Sequence, residues 1–419
     1  MKVSRMQRLS MYIGLALVFG STLSASSVLA VDAGDAKEAH TIVVTATRSE
    51  QQLSEVPASV GVVTGDDIRE RHATNMNEAL NIVPGVDINT YGGGVGYTNS
   101  NAFRINGSDQ VLYLVDGINM GAAGVNPPMT ILKDMSSIDR IEVQRGAVAC
   151  PTGVAKGSPV TTVDTAKSGN LVNWKAGALY HLTDNGNVYI NYAVSQQPPG
   201  GSNFALAQGG SGNSANRTDF KPQKAKTSEI GTKWEVLDKR LLLTAAIFRT
   251  DIENEVEQND DGTYSQYGEK RVEGYELSVA GNITPAWQVI GGYTQQRATI
   301  HSGKNVAQDG SSSLPYTPEH AFTLWSQYQA TDDVSVGAGA RYVGSMHRGS
   351  DGAVGTPSYT EGYWVADAKL GYRVNRNLDF QLNVYNLFDT DYVSSINKSG
   401  YRYHPGEPRT FLLTANMHF

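Results

Sequence analysis

Arg409-Thr410-Phe411-Leu412-Leu413-Thr414-Ala415-Asn416-Met417-His418-Phe419 is the stretch that decides the fold. Phe411, Leu413, Ala415, Met417 and Phe419 alternate with Leu412, Thr414, Asn416 and His418. A period of two over about ten residues, ending on an aromatic, fits one strand of a transmembrane β-barrel, and equally an edge strand of a soluble sandwich. The pattern repeats upstream. Leu378, Phe380, Leu382 and Val384 alternate with Asp379, Gln381, Asn383 and Tyr385. Tyr275, Leu277 and Val279 alternate with Gly274, Glu276 and Ser278. Ile230, Thr232, Trp234 and Val236 alternate with Glu229, Gly231, Lys233 and Glu235. Charges at every second position are costly in a dry core and tolerable on a wet lumen wall, so the barrel is the favoured reading.

Composition agrees. The 419 residues include 21 Tyr and 44 Gly, with only 18% charged. Tyr and Trp at strand ends would form the aromatic girdles of an outer-membrane barrel. A mean hydropathy of -0.32 suits alternating strands, whose polar positions offset the apolar ones. Net charge is -7, from 34 Lys+Arg against 41 Asp+Glu. No basic patch points to nucleic acid. One cysteine, Cys150, excludes an intrachain disulfide and a multi-cysteine metal site.

Residues 1–30 read as a secretory signal peptide: Lys2, Arg5 and Arg8, then the apolar run 11–20, then Val28-Leu29-Ala30 as a small-residue cleavage site. Residues 31–55 form an N-terminal extension. Within it Thr41-Ile42-Val43-Val44-Thr45-Ala46 is β-prone, suited either to adding a strand to another protein's sheet edge or to opening the next domain. Residues 56–150 read as a compact α/β domain: a strand over 57–63, a helix over 65–72 capped by Thr64, and another over 77–82 capped by Asn75. Further strands are expected over 111–115 and 138–143. Gly92-Gly93-Gly94 lacks the lysine and preceding strand of a phosphate loop. Residues 151–170 read as a connector, with at best a short strand at 160–166.

From residue 171 to 419 eleven strands are expected: 171–181, 187–195, 226–236, 240–256, 268–281, 286–300, 318–329, 334–347, 362–374, 378–392 and 409–419. Tight turns and long loops alternate between them, the outer-membrane arrangement of short periplasmic turns and long external loops.

These features together resemble a TonB-dependent outer-membrane receptor. Residues Thr41, Ile42, Val43, Val44, Thr45 and Ala46 look like the TonB box. Residues 56–146 look like the plug, with Arg104-Ile105-Asn106-Gly107, Leu114-Val115-Asp116-Gly117 and Ile141-Glu142-Val143-Gln144-Arg145-Gly146. Asn386-Leu387-Phe388-Asp389 and Phe419 look like the end of the barrel, and the C-terminal part is similar to ferric-catecholate siderophore receptors. The resemblance implies a β-barrel membrane protein of the 22-stranded type with an N-terminal α/β plug. This chain supplies about half of those strands, so an internally shortened receptor is expected, with a junction near Cys150.

Function follows from that resemblance. It implies uptake of a ferric siderophore, energised by TonB with its inner-membrane complex, from the outer membrane and in contact with its lipid. The siderophore holds the iron, so no cofactor and no metal bound by the protein itself are expected. No motif reads as an enzyme. Plug arginines Arg104 and Arg145 are expected to meet barrel glutamates Glu229 and Glu273 (or Glu276), or these are ordinary lumen charges. Arg297, Arg341, Arg348, Lys398, Tyr401 and Arg402 are candidates for an anionic catecholate ligand, against the alternative of solvated loop charges. A passive channel and a non-transporting remnant are the rival functions.

Overall fold

The computed structural model describes residues 9–13, 42–43, 51–73, 75–91, 100–105, 114–115, 118–119, 135, 138–145, 171–197, 220–258, 264–303, 307–349, 355–396, 401 and 403–417. The connector 151–170, Cys150, Gly92-Gly93-Gly94, and most of the expected leader and TonB box lie outside these residues.

All eleven expected strands form one antiparallel wall: β1 (Trp174–Thr183), β2 (Gly186–Gln197), β3 (Gln223–Val236), β4 (Leu241–Gln258), β5 (Tyr264–Thr284), β6 (Trp287–Ser302), β7 (His320–Gln329), β8 (Val334–Val343), β9 (Tyr363–Asn375), β10 (Leu378–Tyr385) and β11 (Thr410–Met417). They pair in chain order, and Leu9–Ile13 adds a twelfth strand on the outer edge of β1, with Leu9 opposite Tyr180. Among the described residues β11 pairs only with β10. β10 stops sooner than expected because Asn386 and Asp389 take left-handed backbone, at φ 49° and 55°, which no strand accommodates.

The alternation sorts the wall into two faces. Register places Tyr189, Gly231, Ala246, Glu276 and Thr294 in one row across β2 to β6. Apart from the glycine, these are only 1–4% exposed. The next row, Ile190, Ile230, Ile247 and Tyr275, faces the other way and is 41–64% exposed. A soluble sheet would reverse this, with the isoleucines hidden and the glutamate in water. Gly231 lies under the Tyr189 ring, where an added Cβ would come 2.4 Å from the phenol.

The covered face carries a small N-terminal unit. Strand Val60–Thr64 pairs antiparallel with Arg140–Gln144 and runs into helix α1 (Gly65–Arg71). Thr64 and Asp67 form a reciprocal capping box, each satisfying a main-chain N–H of the other, at 3.2 and 2.8 Å. His72, left-handed at φ 55°, ends the helix. In helix α2 (Met76–Leu80), the Glu78 N–H donates to Asn75 Oδ1 at 3.0 Å, as a capping asparagine should. Val63, Ile68, Leu80, Ile82, Val83, Met135 and Val143 share one core with Trp325 of β7 and, partly buried, Ile290 of β6. The unit therefore completes its hydrophobic core with wall side chains. A hairpin of Val86–Tyr91 with Ser100–Ile105 was not expected from the sequence.

The exposed row should meet hydrocarbon. Ile247→Lys is expected to lower folding stability in lipid vesicles by about 2–4 kcal/mol, the usual cost of a lysine near the bilayer midplane. Equilibrium unfolding in vesicles, with Ile247→Leu as the near-neutral control, measures it.

Candidate functional site

The N-terminal unit meets the wall in a polar seam. The turn Leu53–Glu55 follows strand Gln51–Gln52, and its carbonyls point at the wall. Lys233 Nζ donates to the carbonyls of Leu53 and Val56, both at 2.7 Å. Asn187 Nδ2 donates to the Ser54 carbonyl at 2.9 Å. Glu55 reaches His181 Nε2 at 3.2 Å. Leu53, Val56, Ala58 and Val60 pack on Leu242 of β4 beside these bonds.

Deeper in the seam lies a buried charged cluster. The Ser59 N–H donates to Glu229 Oε1 at 2.8 Å, and Arg145 Nη1 donates to Ser59 Oγ at 2.7 Å. Arg145 and Glu276 form an ion pair at 3.0 Å, each side chain 2% exposed. Its angles do not make a hydrogen bond: Arg145 Nε and Nη2 and both Glu276 oxygens lack a hydrogen-bond partner among the described residues. A buried pair so incompletely satisfied holds by charge, without the added hydrogen bonds that would offset its desolvation.

A second anchor grips the far end of α1. The last carbonyls of any helix lack intrahelical partners. Here Gln381 Nε2 donates to the Glu70 carbonyl at 3.0 Å, and the Tyr385 hydroxyl to the Arg71 carbonyl at 3.2 Å, both from β10. Lys369 of β9 pairs with the Glu70 carboxylate, and His72 Nε2 meets Thr414 Oγ1 of β11 at 3.0 Å. Arg71 bonds the Glu78 carbonyl at 3.0 Å and Asn81 Oδ1 at 2.5 Å. Burial pushes its guanidinium pKa down to about 10 against the pull of Asp367 and Asp67. Arg71, Asn81, Trp325, Arg341 and Asp367 line a narrow crevice between the unit and the wall.

The expected site residues divide accordingly. Arg145 and Glu229 both sit in the seam, though Glu229 meets a main-chain N–H rather than an arginine. Glu273 is corrected: Glu276 is the partner of Arg145, while Glu273 has the parity of Tyr275 and lies opposite Arg249 and Arg297 on the uncovered face. Arg297 is therefore on the wrong face for a ligand in the lumen. Arg348 is fully buried and bonds the Pro357 carbonyl and Thr356 Oγ1, each at 2.7 Å, so it braces its own loop. Arg341 lies on β8 and faces the lumen, with Nη2 3.2 Å from the Tyr392 hydroxyl and Nε without a hydrogen-bond partner among the described residues. Tyr401 is 69% exposed. Lys398, Arg402 and the side chain of Arg104 lie outside the described residues. The sequence reading missed His181, Asn187 and Lys233, which belong to one register row.

A wall with one apolar, exposed face and one polar face covered by a small α/β unit is the wall architecture of an outer-membrane β-barrel. Residues 90–387 match the family described as TonB dependent receptor-like, beta-barrel, and the chain belongs to that family. Over 275 residues it is 92% identical to the catecholate siderophore receptor Fiu of Escherichia coli strain K12, a match covering 66% of this chain and 36% of Fiu. It is 33% identical over 318 residues to the probable TonB-dependent siderophore receptor PiuA of Acinetobacter baumannii, covering 74% of this chain and 40% of that one. The crystal structure of Fiu in its closed form superposes with a TM-score of 0.59, over 66% of this chain and 39% of that chain. The structure of PiuA gives 0.52 at 33% identity, over 61% and 38%. The chain thus spans well under half the length of the curated relatives it matches. Its place, like theirs, is the outer membrane.

Removing one member of the Arg145–Glu276 pair strands the other without solvent. Arg145→Met alone is expected to loosen the N-terminal unit by about 3–5 kcal/mol, and the double variant Arg145→Met with Glu276→Met to recover most of that loss. Protease susceptibility of residues 51–145 in isolated outer membranes reads both.

Proposed function

We propose that the chain is a TonB-dependent receptor for ferric siderophores, of catecholate type, with residues 56–150 as its plug. The observation that carries this reading is the 92% identity over 275 residues to a catecholate siderophore receptor, in a chain whose residues 90–387 match the receptor family. The seam supports it: the N-terminal unit is bound to the wall by hydrogen bonds and ion pairs that can be broken and remade, not by a continuous apolar interface alone. In this reading the siderophore, not the protein, holds the iron. Arg341, beside Tyr392, is the lumen cation placed to meet an anionic catecholate oxygen. The energising partner takes the segment 41–46, of which Ile42–Val43 pairs with Gln51–Gln52. Export removes the leader at Ala30, which takes Leu9–Ile13 off the edge of β1.

A second reading, a shortened receptor that does not transport, is favoured by one observation: β11 has a neighbour on one side only among the described residues. Unpaired strand edges are heavily penalised in lipid.

Deletion of residues 41–46 is expected to abolish iron-siderophore uptake while leaving surface binding of the ferric catecholate unchanged. Growth on ferric catecholates under iron limitation, in a strain without other receptors, separates the two readings: the intact chain restores growth in the first and not in the second.

A further inference from the structure

The seam does not hold the N-terminal unit evenly. His181, Asn187 and Lys233 lie directly opposite one another on β1, β2 and β3. Between them they hold every residue from 53 to 56: Lys233 the carbonyls of Leu53 and Val56, Asn187 the carbonyl of Ser54, and His181 the carboxylate of Glu55. Three strands thus read four successive residues of one turn. That turn lies one residue beyond Gln51–Gln52, the strand that pairs with Ile42–Val43.

We propose that the row His181–Asn187–Lys233 is the release catch of the N-terminal unit, and Lys233 its positioning residue: a pull on the segment 41–46 is resisted here first and must unseat this turn before it reaches the unit's core. This rests on the receptor reading for the origin of the pull, not for the catch itself. The order follows from connectivity. A load entering at residue 43 first unzips the two-residue pairing Ile42↔Gln52 and Val43↔Gln51. The next contacts along the chain are the four held by the row. Only after them come Ser59 on Glu229, and then the five-residue ladder of Val60–Thr64 with Arg140–Gln144.

The catch also resets. Lys233 is 2% exposed, and its hydrogen bonds to the N-terminal unit are to main-chain carbonyls alone. When the turn leaves, the Lys233 side chain loses both carbonyl acceptors, a state that favours re-seating once the load is gone.

The test uses the full chain in isolated outer membranes with Cys150 replaced by serine, and a maleimide that reacts only with accessible thiols. Ser54→Cys, at a buried position of the turn, reports the catch, and Val143→Cys reports the core ladder. Lys233→Met is expected to raise labelling at 54 by about tenfold and leave 143 unchanged, since local opening exposes only what the lost bonds held. Asn187→Leu, which removes one bond, should raise it by a smaller factor and serves if Lys233→Met fails to insert. A steady pull on a tag at residue 40 should expose 54 before 143. Equal labelling at 54 with and without Lys233→Met overturns the proposal, as does exposure of 143 together with or before 54. The labelling needs neither siderophore nor transducer, so a failed uptake assay with the labelling pattern intact would sink the receptor reading and leave the catch.

Discussion

Everything in this fold follows from requiring each wall strand to satisfy two incompatible neighbours at successive residues. A lipid-facing residue must be apolar, and the residue beside it must meet water or a polar surface. The covered face is therefore studded with groups no ordinary core would admit: Asn187, Glu229, Lys233, Glu276, Thr294 and Gln296, all under 10% exposed. Buried polar groups of this kind destabilise a protein unless each finds a partner. The N-terminal unit supplies several of those partners from its main chain: the carbonyls of Leu53, Ser54 and Val56, and the N–H of Ser59. The wall and the unit specify each other, because neither is polar-satisfied alone.

That constraint explains what was legible in the sequence. Wall strands announce themselves because both neighbours leave their mark at a spacing of two, and all eleven appear, although β8 and β10 end earlier than the alternation suggests. The same parity separates Glu276 from Glu273 and puts Arg297 with Tyr293 on the uncovered face; following it strictly removes Glu273 as a partner of Arg145 without coordinates. Other parts left no such mark. The burial of Arg348 depends on how its loop folds back onto Thr356 and Pro357, nine residues away at most, which no periodicity encodes. The hairpin Val86–Tyr91 with Ser100–Ile105 hides behind Asn, Thr and Ser that read as loop. The importance of Lys233 depends on two carbonyls of a turn far away in the chain, and main-chain carbonyls are silent in a sequence.

The two anchors of the N-terminal unit differ in kind. At α1 the wall completes a helix terminus: Gln381 and Tyr385 take carbonyls that any helix leaves open, so this contact costs the wall little and fixes the helix direction. At the turn 53–56 the wall places a lysine whose hydrogen bonds to the unit go to main-chain oxygen. The first contact is cooperative with secondary structure and persists as long as α1 does. The second depends on a short turn at the entry of the chain, next to the segment that pairs with Gln51–Gln52. The seam therefore has a stable end and an end that can let go, and their order along the chain puts the weaker one first.

The wall's own geometry shows how far these eleven strands can go by themselves. Successive strands alternate in direction, so β1 and β11, both odd in the series, run the same way and could meet only as a parallel pair. A ring of eleven tilted strands would be roughly 22 Å across its backbone, against about 44 Å for twenty-two. The N-terminal unit touches β1 through His181 and Glu55 and β11 through His72 and Thr414, with contacts to β2, β3, β5 and β10 between. Once side chains line a 22 Å ring, too little room remains for a unit with its own helices and core. The unit holds the wall open as an arc. Because an arc in lipid requires hydrogen-bonding neighbours for its outermost strands, the unit that fills the lumen is also what obliges β11 to find a further strand.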